Sequence, residues 1–256
     1  MLGAAAAASV TLPAAAAAAA SKSVYFELKL YRMRNGPANM VTRTTAFLSK
    51  GYLPAARRAG ASQLGFFSAL IAPDSPFILS LSTYQSLGAM QSALEALVVD
   101  AEYQKALAEY NTGPDAGFVR IDSSWLRTFD AIPAVETLPP DPKRAARVFE
   151  LRTYGSNNES TRRQKQRMFE NSEAAIFRRI DIRPVFFAET IAGAGMPSNV
   201  YMVSFENLAA REKLWGAFDA DPEWLKVRAM PEYTVPGLTI NISNSILRPL
   251  VFSDIR

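Results

Sequence analysis

Two short runs carry the side chains best suited to chemistry: Glu27, Lys29 and Tyr31, and, 123 residues later, Glu150, Arg152 and Tyr154. Each sets a carboxylate beside a cation and a phenol. Together they suggest a pocket for a small polar or anionic molecule, in which a glutamate whose pKa is raised by burial acts as a general base. The same six side chains equally suit a buried ion-pair and hydrogen-bond network that fixes how two pieces of chain dock, because charges that leave water must be paired. Both readings stay open on the residues alone.

Other chemistry is excluded by what the chain lacks. It has no cysteine and no histidine, which removes thiolate and imidazole catalysis, disulfides, the usual soft metal ligands and the usual haem ligands. The expected site therefore holds no metal and no cofactor; haem would need a Tyr or Lys axial ligand. With 256 residues, 49% of them hydrophobic, the chain can bury a real core. The net charge of +4 is spread along the sequence. No nucleic acid is expected as partner.

The elements that position these residues can be read from periodicity. Phe26-Glu27-Leu28-Lys29-Leu30-Tyr31 and Phe149-Glu150-Leu151-Arg152-Thr153-Tyr154 alternate apolar and polar, which is strand periodicity. After the first strand, Ala38–Gly60 reads as a helix disturbed at Pro54, with Arg57 and Arg58 in its last turn. A hairpin follows over Gln63–Ala72 and Phe77–Tyr84, then a helix over Leu87–Tyr110 and a strand over Phe118–Phe129. Residues 132–146 contain Pro133, Pro139, Pro140 and Pro142 and read as a linker. The second half repeats the order: strand Val148–Tyr154, helix Glu159–Arg179, hairpin Arg183–Ile191 and Val200–Glu206, helix Leu208–Arg228, strand Leu238–Arg248.

The repeat survives alignment. Past the first turn the offset is 121 residues, matching Arg57-Arg58 to Arg178-Arg179, Leu87 to Leu208, and Ser124, Leu126 and Arg127 to Ser245, Leu247 and Arg248. A constant offset through helix, hairpin, helix and strand indicates tandem duplication. The order βαββαβ in each copy gives an α+β class, with two tandem ferredoxin-like domains at 24–131 and 147–256. Each leaves one sheet face for its partner, so the expected architecture packs them sheet to sheet as a pseudo-symmetric α/β barrel. By strand parity Phe26, Leu28, Phe149 and Leu151 lie under the helices, and the two polar faces meet inside.

The strand Phe149-Glu150-Leu151-Arg152-Thr153-Tyr154, the run Asn207-Leu208-Ala209-Ala210-Arg211-Glu212 with Asp221-Pro222-Glu223-Trp224, and the end Leu247-Arg248-Pro249-Leu250 resemble the NIPSNAP family. The first copy departs from that pattern at Lys29, Leu30 and Thr128. The resemblance implies the dimeric α/β barrel superfamily, which also holds monooxygenases, haem-degrading proteins and isomerising enzymes. It implies the fold and no single activity. The leading expectation is a protein that binds a small molecule or a protein partner without catalysis. The alternative is a cofactor-independent oxygenase or isomerase of a small organic acid or ketone, and a homo-oligomer is compatible with either.

Three further features complete the reading. Residues 1–23 are Ala-rich, and the run from Leu2 to Ala20 ends in Ala18-Ala19-Ala20-Ser21, which suits an export signal, twin-arginine in type with its basic region missing, and a periplasmic or secreted location with no integral membrane span. Arg162, Arg163, Lys165 and Arg167 read as a solvated basic face, or as a hold for phosphate or an acidic partner. Trp125, Trp215 and Trp224 read as core or interface residues, and Asn158 and Asn241 match a glycosylation pattern that recurs by chance.

Overall fold

The computed structural model describes residues 23–256 apart from Pro114, Ala134, Pro140 and Pro142. The expected export signal falls outside the described residues, Ser23 excepted. Eight strands alternate with helices: β1 (Tyr25–Arg32), β2 (Leu64–Ile71), β3 (Phe77–Tyr84) and β4 (Arg120–Thr128), then β5 (Val148–Gly155), β6 (Arg183–Ala192), β7 (Ser198–Phe205) and β8 (Asn241–Pro249). All pair antiparallel in one closed barrel of order β1-β3-β2-β8-β5-β7-β6-β4. The two halves thus join edge to edge, β2 to β8 and β4 to β6, by backbone hydrogen bonds. That is a different closure from two sheets laid face to face.

The barrel interior is apolar and drawn from both halves. Phe26, Leu28, Phe67, Leu79, Leu81 and Leu126 pack against Phe149, Phe186, Met202 and Leu247. Further cores lie outside the barrel wall, a large one under the helices of each half and a small one of Met168, Val227 and Leu238; Tyr31 belongs to the first and Tyr154 to the second. Strand alternation was read correctly, but the faces are reversed. Phe26, Leu28 and Phe149 line the interior, while Glu27, Lys29, Tyr31, Glu150, Arg152 and Tyr154 point outward beneath the helices, and the two polar faces never meet. The physical reason is partner supply: a closed apolar interior offers nothing to a buried charge, whereas the helices of the second half bring Arg211, Lys165 and Trp215.

The helices are more broken than periodicity suggests. In the first half α1 (Met40–Phe47) and α2 (Leu53–Arg58) are joined by a π-helical turn, Leu48–Tyr52. In the second, α5 (Glu159–Met168) and α6 (Ala174–Arg179) are joined by another, Phe169–Glu173, at the same repeat offset. Pro54 follows the first turn, but the second has Ala175 in that place. Packing, not proline, therefore widens both helices. The later helix of each half is split as well, α3 (Leu87–Val99) from α4 (Ala101–Asn111) and α7 (Leu208–Asp219) from α8 (Pro222–Arg228). Asp100 and Asp221 make the breaks, because each adopts extended backbone and accepts from N–H groups of the following turn. No helix among the described residues is long and apolar enough to cross a membrane.

Candidate functional site

The densest polar cluster lies on the outer face of β5 in the second half. Glu150 is fully buried and accepts four hydrogen bonds. Its Oε1 takes Arg152 Nη1 at 2.8 Å and Arg211 Nη2 at 2.9 Å; its Oε2 takes Arg211 Nε and Trp215 Nε1, each at 2.8 Å. Arg211 and Trp215 stand four apart on α7, so one face of that helix delivers both. Burial alone pushes the Glu150 carboxyl up, but the hydrogen bonds from Arg211 and Trp215 and the charge of Arg152 outweigh it and hold the group below the usual glutamate range. A carboxylate so held is a poor general base.

Arg152 sits in an aromatic surround. Its guanidinium lies 4.8 Å from the Trp215 ring centre, 5.5 Å from Tyr154 and 6.0 Å from Tyr201. Nη2 donates to Tyr154 Oη at 3.2 Å, and the two phenols, Tyr154 and Tyr201, are 3.0 Å apart. Its Nε is a buried donor with no acceptor among the described residues. Asn244 on β8 is the direct cross-strand neighbour of Arg152, and it lines a surface cleft of about 370 Å³ with Arg211, Ile246, Ile71, Ala72 and Pro73. Arg211 is thus the member of the cluster that lines this cleft, and the Arg152 side chain is 15% exposed.

Behind Tyr154 lies a second buried pair. Lys165 on α5 bonds Glu173 on the π-helical turn, both almost completely buried. The Lys165 ammonium lies 4.5 Å from the Phe169 ring centre, 5.4 Å from Tyr154 and 5.7 Å from Trp224. Burial pushes the Glu173 carboxyl up by more than Lys165 and Arg152 pull it down. The acid with a raised pKa is therefore Glu173, which the sequence reading did not single out. A charged residue repeating toward an apolar helix face was its only signal.

The basic run does not form one solvated face. Arg162 and Lys165 are buried, while Arg163 and Arg167 are exposed. Arg162 bonds Glu189 of β6 at 2.7 Å and Glu159 at 2.9 Å. Trp215 and Trp224 are packed as expected, but Trp125 is 37% exposed, because the helices pack chiefly over β1, β3, β6 and β7 and leave β4 uncovered. Asn158 caps α5, accepting from Thr161 N.

The first half carries a weaker version of the cluster. Glu27 meets Lys29 at 3.1 Å and accepts from Ser123 Oγ at 2.6 Å. At the offset of 121, Met90 and Leu94 stand where the second half has Arg211 and Trp215, so no helix donor reaches Glu27. Tyrosines crowd there instead: burial, opposed by the Ser82 hydrogen bond, pushes the Tyr52 phenol up to about 12, and Tyr31, like Tyr201, lies well above 10.0. Raised phenols favour the neutral fold below pH 10.0, and that contribution is lost as pH climbs toward about 12. Titration at 295 nm is therefore expected to show fewer than nine tyrosinates at pH 11 while the protein is folded, and all nine in denaturant.

Comparison with known proteins bears on the second half most directly. The NIPSNAP family model matches residues 149–254, which contain Glu150, Arg152, Tyr154, Lys165, Glu173, Tyr201, Arg211 and Trp215. A NIPSNAP-like domain protein of Burkholderia xenovorans is 25% identical, with 42% of this chain and 88% of that chain covered, at a TM-score of 0.37. Two provisionally assigned monooxygenases share the fold over most of the molecule. The Lactobacillus acidophilus protein is 8% identical over 89% of this chain and 94% of that one (TM-score 0.55). The Fusobacterium nucleatum protein is 7% identical over 89% and 93% (TM-score 0.54). No curated protein matches the chain.

Proposed function

We propose, on the premise that residues 149–254 are a NIPSNAP domain, that this chain binds a small organic molecule bearing a carbonyl or carboxylate oxygen at Arg152. One observation carries the proposal. Arg152 Nε is a buried donor without an acceptor among the described residues, in a surround of Trp215, Tyr154 and Tyr201, and its cross-strand neighbour Asn244 lines a cleft open to solvent. Buried donors are satisfied in folded proteins by protein, water or ligand, and an aromatic wall selects a flat or apolar body behind the oxygen. Glu150 serves this site by orienting Arg152 and anchoring α7. The duplicated ferredoxin-like architecture and an exported location belong to the same proposal. The constant repeat offset supports the first; the Ala-rich start supports the second, and cell fractionation tests it.

The test uses the fluorescence of Trp215 in the full-length chain, titrated with small aromatic and aliphatic acids and ketones. A ligand is expected to shift wild-type emission and to bind folded Arg152→Gln at least tenfold more weakly. Equal affinity for both proteins would remove the proposal. A second reading, an oxygenase or isomerase without cofactor, is favoured by Glu173 alone, whose raised pKa beside Lys165 suits proton transfer. It requires oxygen uptake, or hydrogen–deuterium exchange next to the carbonyl of a bound ketone, that is lost in Glu173→Gln while binding persists.

A further inference from the structure

A different feature lies at the end of the barrel, where Glu136, Leu138, Ala145 and Ile255 lie. Arg147 precedes β5 and shares strand parity with Phe149 and Leu151, which places it on the inner side of the wall at the rim of the apolar interior. It is 6% exposed. Its Nε donates to Ser204 Oγ at 3.2 Å and its Nη2 to the Ser204 carbonyl at 3.1 Å, while Nη1 engages no described residue. It forms no ion pair among the described residues. Burial, and after it the like charge of Arg183, lowers its pKa despite Glu206 and Asp181. A guanidinium this deeply buried without a carboxylate is the kind of charge that a fold does not keep without a counter-charge.

Arg147 lines a cavity of about 410 Å³ with Arg144, Arg183, Leu138, Ala145, Glu206 and Asn207. Three of these seven are arginines. Arg183 has Asp181 at 3.0 Å and Arg144 has Asp141 only at 4.0 Å; Glu206, the single acid of the lining, is exposed to water. Through Leu138 and Arg183 this cavity adjoins a second, of about 310 Å³, whose floor is Phe149, Ile182, Val185 and Ile255. The head of the combined space is cationic, and the second cavity has an apolar floor beneath a rim that carries Glu136, Arg178, Asp181 and Arg256.

We infer that this end of the barrel is a binding site for an apolar carboxylate, such as a medium-chain fatty acid, its carboxylate on Arg147 and its chain on the Phe149–Ile255 floor. The site is separate from the Arg152 cluster, which lies on the other side of the barrel wall. The pairing follows from charge and shape: bidentate acceptance suits a guanidinium, and a chain with no polar atoms suits the floor.

Calorimetric titration of the full-length chain with sodium decanoate at low salt tests it. Decanoate is expected to bind, with decan-1-ol at least tenfold weaker and Arg147→Met at least tenfold weaker for decanoate. Absence of binding, equal binding of the alcohol, or equal binding by Arg147→Met would overturn the inference. If Arg147→Met does not fold, Leu138→Trp, which fills the junction of the cavities and leaves Arg147 in place, must abolish binding. Decanoate bound undiminished by Leu138→Trp also overturns it.

Discussion

Glu150→Gln is expected to destabilise the protein by about 3–5 kcal/mol, the usual result of breaking a buried charge network on one side. For a chain of this size that is a fall of roughly 6–20 °C in melting temperature. The amide offers one acceptor where the carboxylate offers two, and its NH₂ group then faces the N–H groups of Arg211 and Trp215, which need an acceptor. The pH dependence gives a second reading of the same network. The folded carboxyl lies below its ordinary 4.5, so its contribution is complete above that pH and is lost as pH falls through the folded value. The stability gap between wild type and Glu150→Gln should therefore narrow below about pH 4.5, as thermal melts between pH 3 and 7 would show. A gap that stays constant across that range would mean Glu150 is not held ionised by its partners.

The Lys165–Glu173 pair should show the largest non-additivity. Either Lys165→Met or Glu173→Leu alone leaves the other group nearly dry and unpaired, for a loss of about 3–5 kcal/mol. The double variant removes both charges and fills the same space with apolar atoms among Phe169, Tyr154 and Trp224. It should be more stable than either single variant and close to wild type, so that the coupling is of the order of the single losses. Chemical denaturation of the four proteins measures it. Additive losses would show that the two side chains do not act as a pair. A stable double variant also serves the functional question, since it leaves Arg152 and Trp215 in place while removing Glu173, the carboxyl that burial pushes up.

How much of this was legible beforehand depends on which force set each feature. The alternation around Glu27 and Glu150 fixed the strands and grouped the right side chains on one face, because pleating obliges it. It could not say which face looked inward. That depended on Arg211 and Trp215, 61 and 65 residues away from Glu150 on a helix, and a strand pattern carries no record of distant partners. Lys165 was read as one charge among four, since a basic run looks solvated until the helix is seen to turn it over Phe169. Asp100 and Asp221 are a different kind of omission. Asp-x-Glu at both repeat positions is a helix-start signal that could have split each long helix from sequence alone. The π-helical turns were not legible, because Pro54 offered a local explanation that Ala175 shows to be insufficient.

The closure of the barrel through β2–β8 and β4–β6 has a consequence for the chain while it is being made. In the finished molecule no strand of the ring has an open side. During synthesis the first four strands are complete long before their neighbours exist, and β2 and β4 then present unpaired backbone, the kind of template on which chains stick to one another. β4 is relieved when β6 arrives. β2 must wait for β8, the last strand of the ring, so the hazard of aggregation is confined to the nascent chain and lasts until β8 has been made.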